Sequence, residues 1–193
     1  MSSPLSEREK QEILNLHNEA RRETPGKPRP DLIWSNTLSA AAEKWAKHME
    51  KKNLFDHDRK QTVMGENLYE TNDPEFTYCS AVRWWIAEKK YYSGEAVGKE
   101  STMNKKEMIG HYTQIICLEA TKVGMANAKG RRYTYIVARY DYLQIKHTKP
   151  WGSATHLPQR KHSKEEEAKE DIKASPNHKR HHNFPPGPSQ RDK

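Results

Sequence analysis

Apolar side chains recur every three or four residues over 38–49, with lysine and glutamate between them, which predicts an amphipathic helix. An earlier helix is predicted over Glu7–Arg22, because Ser6 and Glu9 form a capping-box pattern ahead of another helical stripe. The stretch 23–31, rich in proline and glycine, cannot continue a helix and so ends it.

A third helical stripe places a carboxylate on an otherwise apolar face. Asp73 and Pro74 are typical of an N-cap followed by proline at the first helical position, so the helix is predicted from there to Tyr92. Glu88 falls on the same face as the tryptophans of this stripe. A carboxylate on a buried face needs a partner, which makes Glu88 a candidate functional residue, although a structural ion pair would also satisfy it.

β-branched and aromatic residues dominate three later stretches, TQIIC (113–117), TKVGMANA (121–128) and RRYTYIVARYDYL (131–143). Lys129-Gly130 supplies a hairpin turn between the last two, and Val63–Tyr69 is a candidate for a further strand. The pattern therefore predicts an α+β fold in which an antiparallel sheet packs against the helices.

The composition changes after about residue 146. The remainder holds six prolines, six of the ten histidines and a KEEEAKED charge run, with few aliphatic residues. Such a segment buries too little apolar surface to offset the entropy lost on ordering. We therefore expect one folded domain over 1–146 and a disordered tail over 147–193, whose histidines are more typical of solvated side chains than of metal ligands.

Charge and cysteine content narrow the class of protein. Charged residues make up 31% of the chain, and no apolar run approaches the ~20 residues that a membrane span needs. The net charge of +8 is spread out rather than gathered into a basic stripe with aromatics, so specific nucleic-acid binding is not expected. Two cysteines and a polar start favour an intracellular protein, with export without a leader as the alternative.

Five segments together resemble the CAP superfamily of cysteine-rich secretory, antigen 5 and pathogenesis-related 1 proteins. They are DHD (56–58), GENLY (65–69), WWIAE (84–88), GHYTQIIC (110–117) and YIVARYDY (135–142). Cys117 stands where the family commonly has tryptophan, and Ala138 where secreted members commonly have cysteine. The chain is thus similar to the cysteine-poor, leaderless branch, which includes Golgi-associated plant pathogenesis-related proteins and leaderless venom-allergen-like proteins.

This resemblance implies a three-layer α-β-α sandwich and an open cleft that joins two histidines and two glutamates. The family's residues fall on His57, Glu66, Glu88 and His111, with a divalent ion, often zinc, held through the histidines. Two imidazoles alone make a weak site, because structural zinc usually takes four protein ligands. The cleft is expected to be lined by Tyr69, Tyr112 and Gln114.

Three functions remain open at this point. The resemblance favours a binding module for lipid, peptide or protein partners, and the basic tail would suit an anionic membrane surface. A metal-dependent hydrolase using the same four residues is the alternative, but no nucleophile elbow, HExxH helix or third firm ligand is present in the sequence, so we do not expect an enzyme. A self-associating scaffold, such as a homodimer, is the third.

Overall fold

The computed structural model describes residues 5–97, 108–144 and 149–150. Its elements, in chain order, are α1 (Glu7–Glu23), β1 (Ile33–Trp34), α2 (Asn36–Lys52), β2 (Gly65–Thr71), α3 (Tyr78–Ala87), a 3₁₀ turn (Glu88–Tyr91), α4 (Gly110–Ile115), β3 (Lys122–Lys129) and β4 (Thr134–Tyr140).

The four described strands form one sheet in the order β1-β3-β4-β2. β4 pairs antiparallel with both β2 and β3, whereas β1 runs parallel to β3. The predicted antiparallel sheet is formed by β2, β3 and β4, and β1 adds a parallel strand at one edge. The two-residue strand β1 was missed because a run so short has no periodicity to detect.

Helices cover both faces of the sheet, which gives the three layers of an α-β-α sandwich. α2 packs on β3 and β4, where Ala42, Ala46 and Met49 meet Leu68 and Val137. The opposite face carries α1, α3 and α4. Gly124 fixes the approach of α2, since a Cβ there would lie 2.2 Å from the backbone nitrogen of Ser39.

The first two helices agree closely with their sequence patterns. Ser6 and Glu9 form the predicted capping box, in which Glu9 Oε2 accepts from the backbone nitrogen of Ser6 at 2.8 Å. α1 ends one residue beyond the predicted limit. α2 contains the whole apolar stripe and ends at Asn53, whose φ of 48° is the left-handed conformation common at helix C-termini.

Two predicted elements are wrong. Asp73 and Pro74 form a turn, and the third helix begins later, at Tyr78, because Thr77 and Ser80 make the capping box instead. The TQIIC stretch is not a strand: its first three residues complete α4, and the chain leaves the helix at Ile116. Residues 111–115 are all buried, and tertiary burial overrides the β propensity of such a short segment.

One described contact involves a residue beyond position 146. Pro150 is buried, and its carbonyl accepts a 2.7 Å hydrogen bond from Nη2 of Arg29. Of the predicted tail over 147–193, all but residues 149–150 lies outside the described residues. Among the helices that the structure describes, none is both long enough and apolar enough to cross a membrane.

Candidate functional site

Glu88 and His111 form a buried pair between the end of α3 and the start of α4. Glu88 Oε1 lies 2.6 Å from His111 Nδ1. Its other oxygen accepts hydrogen bonds from the backbone nitrogens of His111, at 2.9 Å, and Tyr112, at 3.1 Å. The partner that the helical stripe required for Glu88 is therefore a histidine together with two backbone N–H groups.

Two tryptophans hold the His111 ring in place. Trp85 stacks on it with the ring centres 5.9 Å apart and the planes 19° from parallel, and Trp84 meets it edge-on. Trp85 also donates its indole hydrogen to the carbonyl of Leu68 on β2. A carboxylate only accepts, so Nδ1 carries the proton, and in the neutral form of the ring the lone pair is on Nε2.

His57, on the loop before β2, and Glu66, on β2 itself, form a second pair of the same design. The distance from His57 Nδ1 to Glu66 Oε1 is 2.5 Å, and the same oxygen accepts from the backbone nitrogen of Asp58 at 3.1 Å. The His57 side chain is 60% exposed, whereas that of Glu66 is 4% exposed. His57 thus presents its Nε2 edge from an exposed loop while its carboxylate is fixed in the sheet.

A buried arginine faces the carboxylate of Glu66. Arg139 lies directly opposite Glu66 in the β2–β4 ladder. Its Nη2 is 2.8 Å from Glu66 Oε2 and 3.1 Å from Asp58 Oδ2, although only the Asp58 contact has the angle of a hydrogen bond. Sequence reasoning missed Arg139, yet a lone cation in a strand whose other residues, apart from Thr134, are apolar or aromatic was a usable signal.

The two pairs lie around the beginning of β2. Side chains alternate along a strand, so Glu66 points toward the α2 face and Asn67 toward the other. Asn67 Nδ2 donates to the carbonyl of His111 at 3.1 Å. Glu66 and Asn67, which are adjacent on β2, therefore hold one pair each. Glu66 contacts the His57 ring through its carboxylate, and Asn67 contacts the backbone carbonyl of His111 through its amide.

The same asparagine belongs to a buried hydrogen-bond chain that reaches α1. Asn67 Nδ2 lies 3.2 Å from the Tyr140 hydroxyl, which lies 3.0 Å from Nε2 of His17. His17 Nδ1 contacts the carbonyl of Ile13, so Nδ1 carries the proton and Nε2 accepts from Tyr140. Burial lowers the pKa of His17 to about 4 and raises that of Tyr140. The hydrogen-bond chain that contacts the carbonyl of His111 thus consists of neutral side chains.

The three residues expected to line the cleft are all buried. Tyr112 directs its hydroxyl to Thr24 Oγ1, 2.9 Å away, and so packs toward α1. Gln114 donates to the carbonyl of Tyr142 at 2.8 Å and packs so closely on Gly65 that a Cβ there would lie 2.4 Å from it. Tyr69 packs against Trp84, the tryptophan that meets His111 edge-on.

The two histidine–glutamate pairs offer few metal ligands. Within the described ranges, no group of three or more histidine, cysteine, aspartate or glutamate side chains is arranged to hold a metal ion. Because both Nδ1 atoms contact carboxylates, the ring atoms with a free lone pair are Nε2 of His57 and of His111. Two imidazole nitrogens are therefore the ligands that this arrangement offers.

Comparison with known proteins identifies the family. The CAP (cysteine-rich secretory protein) family pattern matches residues 14–140, which include the four residues expected to form the cleft. The chain belongs to the CAP family. This CAP domain is 29% identical over 140 residues to pathogenesis-related protein 1B of Nicotiana tabacum, covering 72% of this chain and 78% of that protein. It is also 29% identical over 160 residues to venom allergen 5 of Vespa mandarinia, covering 72% and 77%.

Solved structures of CAP proteins have the same fold. A structure of NaASP2 with Zn²⁺ superposes with a TM-score of 0.62 at 18% identity, covering 80% of this chain and 90% of that one. The structure of Na-ASP-1 gives a TM-score of 0.65 at 20% identity, covering 84% and 47%. At these identities the likeness establishes the sandwich fold of the CAP domain.

Proposed function

We propose that this CAP domain is a binding module whose cleft holds one weakly bound divalent ion, zinc by preference, through Nε2 of His57 and of His111. The observation that carries the proposal is the repeated pairing of a histidine Nδ1 with a buried glutamate. A carboxylate on Nδ1 fixes the tautomer and raises the basicity of Nε2, as it does for histidines that ligate metals.

The charges around the cleft suit a cation. Arg139 offsets only one of its two neighbouring carboxylates, Glu66 and Asp58, and among the described residues no lysine or arginine pairs with Glu88. Imidazole is a common ligand for zinc and for other borderline ions. With two protein ligands, the remaining positions would be filled by water or by a bound partner, which favours weak and reversible binding. The Zn²⁺ structure of NaASP2, a protein of the same fold, supports the choice of ion.

The glutamates are better suited to orient the histidines than to act as general bases. Glu88 already accepts three hydrogen bonds, and Glu66 accepts two while facing Arg139. A carboxylate occupied in this way has little freedom to take a proton from water. These contacts favour a binding module over the metal-dependent hydrolase considered from the sequence.

Calorimetric titration with zinc tests the proposed site. We expect one zinc per chain, and we expect His57→Ala and His111→Ala each to abolish the binding heat, because neither imidazole alone makes a site. His48→Ala is the matched control: His48 is exposed on α2 and stacks on Trp45, outside the cleft. Wild-type binding in both cleft variants would refute the site.

CAP proteins commonly interact with lipids or proteins, and we propose an anionic membrane surface as the partner of this chain. Exposed cations end α2 and form the β3–β4 turn, namely Lys51, Lys52, Lys129, Arg131 and Arg132. The two segments adjoin, because Tyr135 Oη lies 3.4 Å from Asn53 Oδ1. Each well-placed cation contributes about 1 kcal/mol near an anionic bilayer.

Vesicle pelleting of the full chain tests this partner. Vesicles with anionic lipid are expected to retain the wild type, and Arg131→Glu with Arg132→Glu should weaken retention at least tenfold. Arg59→Glu with Lys60→Glu makes the same change of charge in the loop before β2 and is the control. Equal retention by neutral and anionic vesicles would contradict the proposal.

A further inference from the structure

Arg139 occupies an unusual position for a cation. It lies on β4, an inner strand of the sheet, with a side chain only 1% exposed. Its ladder neighbours are Glu66 on β2 and Gly124 on β3. Residues directly opposite each other share a face, so Arg139 lies on the face that α2 covers. Burying a cation there is costly unless anions compensate it.

Among the residues that the structure describes, the compensating carboxylates belong to the His57 half of the cleft. Nη2 of Arg139 contacts one oxygen of Glu66 and one of Asp58, which flank His57 from the sheet and from the loop. The Nε and Nη1 atoms have no hydrogen-bond partner among the described residues. Backbone hydrogen bonding therefore does not explain the arginine, whereas holding the two carboxylates does.

The His111 half is built differently. Glu88 is held by two backbone N–H groups at the start of α4 and by the His111 ring, and no arginine or lysine pairs with it among the described contacts. Trp85 further fixes that ring by stacking. His57 has no such enclosure, since its ring is mostly exposed on a loop. Its orientation depends on Glu66 and on the loop position of Asp58.

We infer that Arg139 is the positioning residue of His57. The guanidinium keeps Glu66 and Asp58 together beneath the loop, so that Glu66 Oε1 remains aligned with His57 Nδ1 and Nε2 faces outward. Without the cation the two carboxylates would repel each other, and the loop would separate from the strand. The expected effect of Arg139 on zinc binding rests on the proposed metal cleft, but the orientation of His57 can be measured without any metal.

Arg139→Lys and Asp58→Asn are the variants that test it. Lysine keeps the charge, but its shorter side chain does not extend to the position of Nη2, the atom that contacts both carboxylates. Asp58→Asn removes one of the two negative charges at a partly exposed position. Arg21→Lys is the matched control, because Arg21 is equally buried but donates to the carbonyls of Pro30, Ile115, Cys117 and Ala120, with no carboxylate.

The readouts are side-chain ¹⁵N spectra of the metal-free protein and zinc titration. Arg139→Lys and Asp58→Asn should each allow His57 to exchange between its two tautomers, so that its ¹⁵N signals average, while the signals of His111 stay unchanged. Both variants should weaken zinc binding about 10- to 100-fold. Arg21→Lys should lower stability and leave both histidine signals as in the wild type.

An unchanged His57 signal in folded Arg139→Lys and in Asp58→Asn would overturn the inference, as would equal disturbance of His57 by Arg21→Lys. A wild type that binds no zinc would refute the proposed function alone. The tautomer signals of the metal-free variants would then still decide the role of Arg139.

Discussion

Glu88→Ala is expected to lower the free energy of unfolding by about 4 kcal/mol. The carboxylate accepts from the His111 ring and from two backbone nitrogens, and it is 5% exposed, so water cannot replace it. A hydrogen bond to a charged group contributes about 1.5–3 kcal/mol, and each buried donor left without a partner costs about 1–3 kcal/mol. The measurement is urea denaturation at neutral pH.

Glu23→Ala is the control for this loss. Glu23 pairs with Lys89, next to Glu88 in sequence, but both side chains of that pair are partly exposed. Such surface pairs contribute at most about 1 kcal/mol. Equal losses of unfolding free energy in Glu88→Ala and Glu23→Ala would show that the buried contacts of Glu88 contribute no more to stability than a surface ion pair does.

Acid is expected to destabilise the protein through His17 by up to about 3 kcal/mol. The ring is fully buried, and burial lowers its pKa to about 4 from an ordinary 6.5, helped by the nearby charge of Arg21 and opposed by the Ile13 carbonyl. Between these two values the unfolded chain binds the proton and the folded chain does not. The free energy of unfolding therefore falls as the pH drops from about 6.5 to about 4, and it levels off below that range. The total loss is about 1.36 kcal/mol for each unit by which the two pKa values differ.

Protonation would also break the chain of donors. In the neutral protein the Tyr140 hydroxyl donates to His17 Nε2, and its oxygen accepts from Asn67. A proton on Nε2 would meet the hydroxyl hydrogen, so that the Tyr140 hydroxyl would lose its acceptor. His17→Gln removes the titrating group, so its stability should be lower at pH 7 but should vary less between pH 7 and 4 than that of the wild type. Parallel curves for the two proteins in urea would show that His17 does not carry the effect.

The elements that the sequence predicted well are those with a long periodic stripe. The apolar face of α2 covers more than three turns, and the capping box of α1 involves neighbouring residues, so local information sufficed. α4 could not be predicted in this way, because residues 111–115 are all buried, which leaves no amphipathic stripe, and because α4 packs against α3 and β2. The start of α3 failed because two capping patterns, at Asp73 and at Thr77, compete within a few residues.

In the candidate site, too, local sequence patterns indicated some residues, whereas the roles of others depend on tertiary contacts. The helical stripe showed that Glu88 needs a partner, but its choice of His111 is a contact between residues 23 positions apart. Family resemblance supplied that partner, and also His57 and Glu66. Arg139 was not noticed because its role depends on strand register, which places it opposite Glu66. The side chains of Tyr112 and Gln114 follow helix packing in the core, which sequence motifs do not describe.

The most direct test of the two-histidine cleft is a long-range ¹H–¹⁵N spectrum of the histidine side chains, recorded without metal and with one equivalent of zinc. We predict that His57 and His111 both carry the proton on Nδ1 in the metal-free protein, and that zinc shifts Nε2 of both rings together while leaving His17 and His48 unchanged. A zinc shift confined to one of the two rings, or seen at Nδ1, would contradict the shared site.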